Sequence, residues 1–128
     1  MKNYVNGLGH IGIPTDRLEE TVAFYEKLGC VKEYETRLEE KKQRVVFLRN
    51  HQLQLEIYEE PETAGCAGVI NHFAFDCNDA QAAYGKAVEA GYKILSNGIE
   101  TLPFWDKGIQ FFIMEGPNCE RIEFCQIL

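Results

Sequence analysis

Two histidines and two glutamates occupy matching places in a chain that repeats itself. His10 and His72 are 62 residues apart, and Glu56 and Glu123 are 67 apart. His10 falls in the strand-like run Leu8-Gly9-His10-Ile11-Gly12-Ile13, and His72 in Val69-Ile70-Asn71-His72-Phe73-Ala74-Phe75. Side chains alternate along a strand. His10 therefore shares a face with Leu8 and Gly12, and Glu56 shares one with Gln54 and Tyr58. In the same way His72 goes with Ile70 and Ala74, and Glu123 with Arg121 and Cys125. The alternate residues, Leu53, Leu55 and Ile57 in one repeat and Ile122 and Phe124 in the other, are expected to pack on a helix. Each repeat thus presents one imidazole and one carboxylate on the face that no helix covers. Two nitrogen and two oxygen donors in one cavity form a divalent metal site. Such mixed ligation suits nickel, zinc, manganese, cobalt or iron(II), and residue types do not choose among them.

The elements that must position these residues read twice along the chain, as strand, helix and three strands. In the first unit, about residues 7–58, Asp16 and Glu19 form a capping-box pair. Leu18, Val22, Tyr25 and Leu28 recur at helical spacing, and Gly29 stops the helix. The strand-like runs Val31 to Arg37, Gln43 to Leu48 and Gln52 to Tyr58 follow, with the charged turn Glu39-Glu40-Lys41-Lys42 between two of them. In the second unit, about 69–126, Asn78 and Gln81 are the cap pair. The apolar stripe is Ala80, Ala83, Tyr84, Ala87 and Val88, and Gly91 is the stop. Tyr92 to Leu95, Ile109 to Met114 and Glu120 to Gln126 are the closing strands. Cap and stop signals share the 62-residue offset of the histidines. The change to 67 at the glutamates implies five extra residues, expected in the loop Phe104-Trp105-Asp106-Lys107-Gly108. The polar segment 59–68 reads as the linker within a single domain of 128 residues. One sheet with one helix leaves a sheet face open. The predicted fold is therefore α+β, two βαβββ units forming a half-open barrel around a cavity.

Composition excludes several classes. Hydrophobic residues make up 45% and charged residues 26%, which argues against disorder. No apolar run reaches the roughly 18 residues of a membrane span, and no apolar signal-peptide core follows Met1. With 13 basic and 20 acidic residues the net charge is −7, a poor match for nucleic acid. The five cysteines form no C-x-x-C pair and read as free thiols of a reducing, cytoplasmic compartment. His51, in the turn Arg49-Asn50-His51, has no counterpart in the second unit and reads as surface.

From about residue 7 to 127 the sequence resembles the vicinal-oxygen-chelate superfamily, which includes glyoxalase I, methylmalonyl-CoA epimerase, extradiol dioxygenases, and the fosfomycin and bleomycin resistance proteins. The resemblance rests on His10-Ile11-Gly12-Ile13, the helix end Phe24-Tyr25-Glu26-Lys27-Leu28-Gly29, Leu55-Glu56-Ile57, Asn71-His72-Phe73-Ala74-Phe75, and Gly116-Pro117-Asn118-Cys119-Glu120-Arg121-Ile122-Glu123-Phe124. Glyoxalase I enzymes use a His, Glu, His, Glu ligand set, matched here by His10, Glu56, His72 and Glu123. The resemblance implies one divalent metal per site, nickel or zinc first, with manganese, cobalt or iron also compatible. It implies a lyase or isomerase acting on a thiohemiacetal or 2-hydroxycarbonyl through a metal-stabilised enediolate. Glu56, Glu123 or both would shuttle the proton. It also implies a homodimer.

The sequence departs from the small bacterial glyoxalase I pattern at three positions. Pro14 replaces an Arg that grips the glutathione carboxylate, Glu60 replaces an Asn, and Cys119 replaces the Gly after Asn118. Substitutes for the lost Arg are Arg121, Arg37, Arg44 or Lys107, and Trp105 is the candidate wall of a substrate pocket. Two alternatives keep the fold. One is a non-catalytic protein that sequesters a ligand, as in antibiotic resistance. The other is an enzyme like methylmalonyl-CoA epimerase, which usually has Gln where Glu56 stands.

Overall fold

The computed structural model describes residues 2–4, 6, 8–68 and 70–128. Gly7 and Val69, which open the two predicted repeats, lie outside the described residues. The chain divides into two compact units, Met1–Thr63 and Ala64–Leu128.

The first unit runs β1 (Ile11–Thr15), α1 (Leu18–Lys27), β2 (Val31–Leu38), β3 (Gln43–Asn50) and β4 (Leu53–Glu59). The second runs β5 (Phe73–Asp76), α2 (Ala80–Glu89), β6 (Glu100–Leu102), β7 (Ile109–Glu115) and β8 (Arg121–Ile127). Each makes a four-stranded mixed sheet, in the orders β1-β4-β3-β2 and β5-β8-β7-β6. The first and last strands of each unit pair parallel and the others antiparallel. The predicted α+β repeat is therefore present twice. No described helix is long and apolar enough to cross a membrane.

The strand parity sorts as expected. Leu55 and Ile57 are fully buried, with Leu48 and Tyr25, where α1 packs on β3 and β4. Each such side chain contributes about 1.5–3 kcal/mol by leaving water. In the second unit α2 offers mostly small residues, Ala80 and Ala87, to its sheet. Aromatic rings fill the space. Phe112 stacks on Phe124 at 5.0 Å and 7°, Phe124 stacks on Phe75 at 5.3 Å, and Tyr84 meets Phe112 edge-on at 5.5 Å. Val88, expected in that stripe, is 51% exposed, because the buried line of α2 passes through Ala80 and Ala87.

The helix starts differ from the sequence expectation. Asp16 does not cap α1; its carboxylate accepts from the Arg17 side chain instead. Thr15 Oγ1 accepts the Arg17 N–H at 3.0 Å, and Thr21 Oγ1 donates to the Arg17 carbonyl at 2.9 Å. The two threonine hydroxyls meet, buried, at 3.0 Å. Glu19, freed of a capping role, pairs with Arg44. For α2 the cap is Asp79, one residue past Asn78; its carboxylate accepts the Ala82 N–H at 2.9 Å. The Ala80 N–H goes to Gln126 of β8.

Two further expectations change. Tyr92–Leu95 forms no strand beyond the single bridge Ile94↔Met114, because the chain turns at Ser96 and at Gly98, whose φ is +73°. Ser96 Oγ takes the Ile113 N–H that a ladder carbonyl would have accepted. The second strand of the unit is β6 instead. The five extra residues are also not gathered in one loop. Lys32, opposite Leu48, and Ile94, opposite Met114, differ by 62. Arg37 and Thr101, paired to Arg44 and Gln110, differ by 64. Phe47 and Ile113, opposite Glu56 and Glu123, differ by 66. The insertion is thus shared among the Ser96 bend, the β6–β7 loop and the β7–β8 turn.

That last turn sets the approach to Glu123. The Glu120 carboxylate accepts the Asn118 N–H at 2.7 Å and fills the space beside Gly116, where a Cβ would meet it at 2.3 Å. Cys119 takes φ +62°, the left-handed conformation a glycine there would adopt freely. The missing glycine therefore leaves the backbone shape intact and adds strain of about 1 kcal/mol. Cys119→Gly is expected to stabilise the protein by about that amount, read as a higher urea midpoint at unchanged slope.

Candidate metal centre

In the first unit β1 lies parallel to β4, with Gly12 opposite Glu56. His10 is the residue just before β1, not within it as the strand reading had placed it. Its parity is still that of Gly12, and its Nε2 lies 3.1 Å from Glu56 Oε2. Gly12 leaves Glu56 uncovered, since a Cβ there would come within 3.7 Å of Oε2 and 3.5 Å of the Tyr58 ring. Phe47, opposite Glu56 on β3, meets the His10 ring edge-on at 5.9 Å. Beside this pair Glu33 accepts from Arg49 Nε at 3.0 Å and from Gln54 Nε2 at 2.7 Å. Those bonds, the arginine's first, hold the Glu33 carboxyl below its ordinary pKa.

The second unit repeats the arrangement. Ala74, another small residue, lies opposite Glu123. His72 stands just before β5, and its Nε2 lies 3.4 Å from Glu123 Oε2. His72 Nδ1 is 3.0 Å from Asn71 Oδ1. An amide oxygen accepts only, so this contact selects the tautomer with hydrogen on Nδ1 and leaves the Nε2 lone pair directed away. Glu123 is the more enclosed carboxylate, with its side chain 14% exposed against 28% for Glu56. Cys125 lies on the same face. Burial first, then the neighbouring Glu123 and Asp76 charges, push its thiol pKa up.

The spacing of each pair fits a shared ion. Donors bound at about 2.1 Å lie about 3.0 Å apart at a right angle and about 3.4 Å apart at the tetrahedral angle. The observed 3.1 and 3.4 Å match both limits. Imidazole nitrogen with carboxylate oxygen is also the donor chemistry of first-row divalent metals. Among the described residues neither unit gathers three or more His, Cys, Asp or Glu side chains suited to an ion. Each unit by itself brings together one histidine and one glutamate.

The remaining sequence candidates sort as follows. His51 is exposed in a tight turn at φ +50°. Trp105 is 64% exposed on the β6–β7 loop, edge-on to Phe104 at 6.0 Å, with φ +58°. Nothing in its own unit places it at the His72–Glu123 pair. Arg121 lies on the Glu123 face, two residues before it. Arg37 and Arg44 are engaged with Glu39 and Glu35. All five cysteines are free: Cys30 is buried, Cys66 and Cys119 are exposed, and Cys77 and Cys125 lie between. Sequence reasoning missed the role of Asn71, although its place next to His72 was the available signal. It also missed the Glu33–Gln54–Arg49 cluster, which depends on strand register.

The profile of the Glyoxalase/Bleomycin resistance protein/Dioxygenase superfamily matches residues 7–124. Among curated proteins, the uncharacterized protein YwbC of Bacillus subtilis (strain 168) is 39% identical over 59 residues, 46% of this chain. That match spans 44% of YwbC, less than half its length. Among solved structures, a glyoxalase family protein from Enterococcus faecalis superposes with TM-score 0.75 at 21% identity, covering 95% of this chain and 98% of the other. The fosfomycin resistance protein FosX of Listeria monocytogenes, in complex with Mn(II) and sulfate, superposes with TM-score 0.70 at 18% identity, covering 97% and 94%. Both likenesses concern the fold.

Proposed function

The chain belongs to the glyoxalase/bleomycin resistance protein/dioxygenase superfamily, and on that premise we propose that it is a metal-dependent lyase or isomerase of glyoxalase I type. One His–Glu pair from each unit completes a single site, formed by His10, Glu56, His72 and Glu123. The observation that carries this reading is the duplication of the pair. Each joins a histidine just before a first strand to a glutamate of the last strand, across a small residue, at a spacing suited to one ion. A bound divalent ion would polarise two adjacent substrate oxygens and stabilise the charge that builds up on them as a carbon-bound proton next to the carbonyl leaves.

The protein's own residues supply the rest. His10 and His72 would hold the ion through Nε2, and Asn71 keeps the His72 ring in the tautomer that leaves this nitrogen free. Glu56 is the carboxylate with more room to move, since its neighbour on β1 is Gly12 and its side chain is 28% exposed against 14% for Glu123, and we assign it the proton transfer. Glu123, more enclosed, keeps its carboxylate beside His72. Nickel and zinc lead the choice of metal, and the manganese bound by FosX supports testing that ion as well. We take the working assembly to be a homodimer, as the family resemblance implies. The five free cysteines support a cytoplasmic location.

The test is turnover of the methylglyoxal–glutathione hemithioacetal by protein reconstituted with each metal in turn. The expected result is metal-dependent product formation. Tight retention of the hemithioacetal with no turnover under any metal would move the protein to the ligand-sequestering reading. Solvent deuterium uptake by a 2-methylmalonyl thioester, with the hemithioacetal unchanged, would move it to the epimerase reading.

A further inference from the structure

Arg121 differs from the other arginines of this acidic chain. Arg17, Arg37, Arg44 and Arg49 each pair with a carboxylate, those of Asp16, Glu39, Glu35 and Glu33. Arg121 has no carboxylate partner among the described residues, and its Nε is buried without a hydrogen-bond partner. A buried donor left unpaired is costly, so such groups call for a partner.

The neighbouring carboxylates are engaged elsewhere. Glu115, directly opposite Arg121 on β7, is held by Lys93 Nζ at 3.0 and 3.1 Å. Glu120 is turned onto the Asn118 N–H. Glu123 lies beside His72. Phe73 pairs with Ile122, so one step back the register sets His72 alongside Arg121. The unpaired guanidinium therefore shares a face with both donors of the second half-site.

We infer that Arg121 receives an oxyanion of the substrate, a carboxylate or a phosphonate attached close to the oxygens that the ion would polarise. Nε–H with one Nη–H makes the side-on fork that takes two oxygens of such a group. Partial burial strengthens that bond by excluding water. The inference deepens the proposed function by naming the substrate class as small oxygenated acids. It gives an acidic protein a local cation for an anionic ligand.

The experiment follows the 15N–1H signal of Arg121 Nε–H in the full-length protein, both metal-free and zinc-loaded. The signal is assigned by its loss in Arg121→Lys. L-lactate, methylphosphonate and neutral propane-1,2-diol are titrated separately, so the first two distinguish carboxylate from phosphonate. The expected result is a saturable shift with one or both anions and none with the diol. In Arg121→Gln, anion affinity falls by about 10- to 100-fold, as for loss of a hydrogen bond to a charged group, while zinc affinity stays within about twofold. A signal that ignores both anions, or anion affinity unchanged in Arg121→Gln, overturns the inference. Should Arg121→Gln fail to fold, the parent titration still decides. Saturable anion shifts in a protein that takes up no zinc would sustain the anion site and remove the metal reading.

Discussion

Glu56→Gln is expected to keep the bound ion and to lose turnover by about 10²- to 10⁴-fold, the usual contribution of a positioned general base. The amide retains the size of the carboxylate and one oxygen donor, but it cannot take up a proton at neutral pH. Glu56 is the carboxylate with space around it. Its neighbour on β1 is Gly12, and the Glu56 side chain is twice as exposed as that of Glu123. The same exchange at Glu123 should act differently. Glu123 is enclosed with His72 and the Cys125 thiol on one face, so removing its charge should chiefly weaken the ion, by at least the roughly 10- to 100-fold that even outer partners are worth. Metal content by elemental analysis, beside single-turnover rates, separates the two. Full turnover in Glu56→Gln, or loss of the ion from it, would contradict the assignment.

Phe112→Ala is expected to destabilise the protein by about 3–5 kcal/mol, the range for deleting a buried aromatic ring. Phe112 is 1% exposed, stacked face to face on Phe124 and edge-on to Tyr84. Its neighbours close the gap poorly, because the residues that α2 buries, Ala80 and Ala87, are small and Tyr84 meets the ring only at its edge. Domains are commonly stable by only about 5–15 kcal/mol, so the variant should be largely unfolded at moderate urea. A midpoint shift worth less than about 1 kcal/mol would show that the aromatic stack is not the main support of this unit. The ring lies on the opposite face of β7 and β8 from Glu123. It therefore positions the candidate ligand through the strand without touching it.

Much of this was legible from residue spacing. The 62-residue offset of His10 and His72, repeated by Gly29 and Gly91, marked the two units. Both glycines do take the left-handed turn that ends a helix. Strand parity placed the buried Leu55, Ile57 and Ile122 opposite the His–Glu faces. The helix caps were less legible because several short polar residues stand side by side at each start. Thr15 and Thr21 prevailed over Asp16 by bonding each other in the core, and Asp79 prevailed over Asn78 by one residue of geometry. Tyr92 to Leu95 has strand-like composition, but Ser96 and Gly98 turn the chain before a ladder can form. The unpaired state of Arg121 was not legible, since it depends on Lys93 holding Glu115 across the strands.

The central claim is that the two His–Glu pairs act together on one ion. Titration of metal-free protein with Mn(II), Ni(II) and Zn(II), with bound metal counted per chain, tests it directly. The prediction is one ion per chain in the parent, with binding lost in His10→Ala and in His72→Ala alike. Failure of the parent to take up any stoichiometric ion, or full binding retained in either variant, would contradict it.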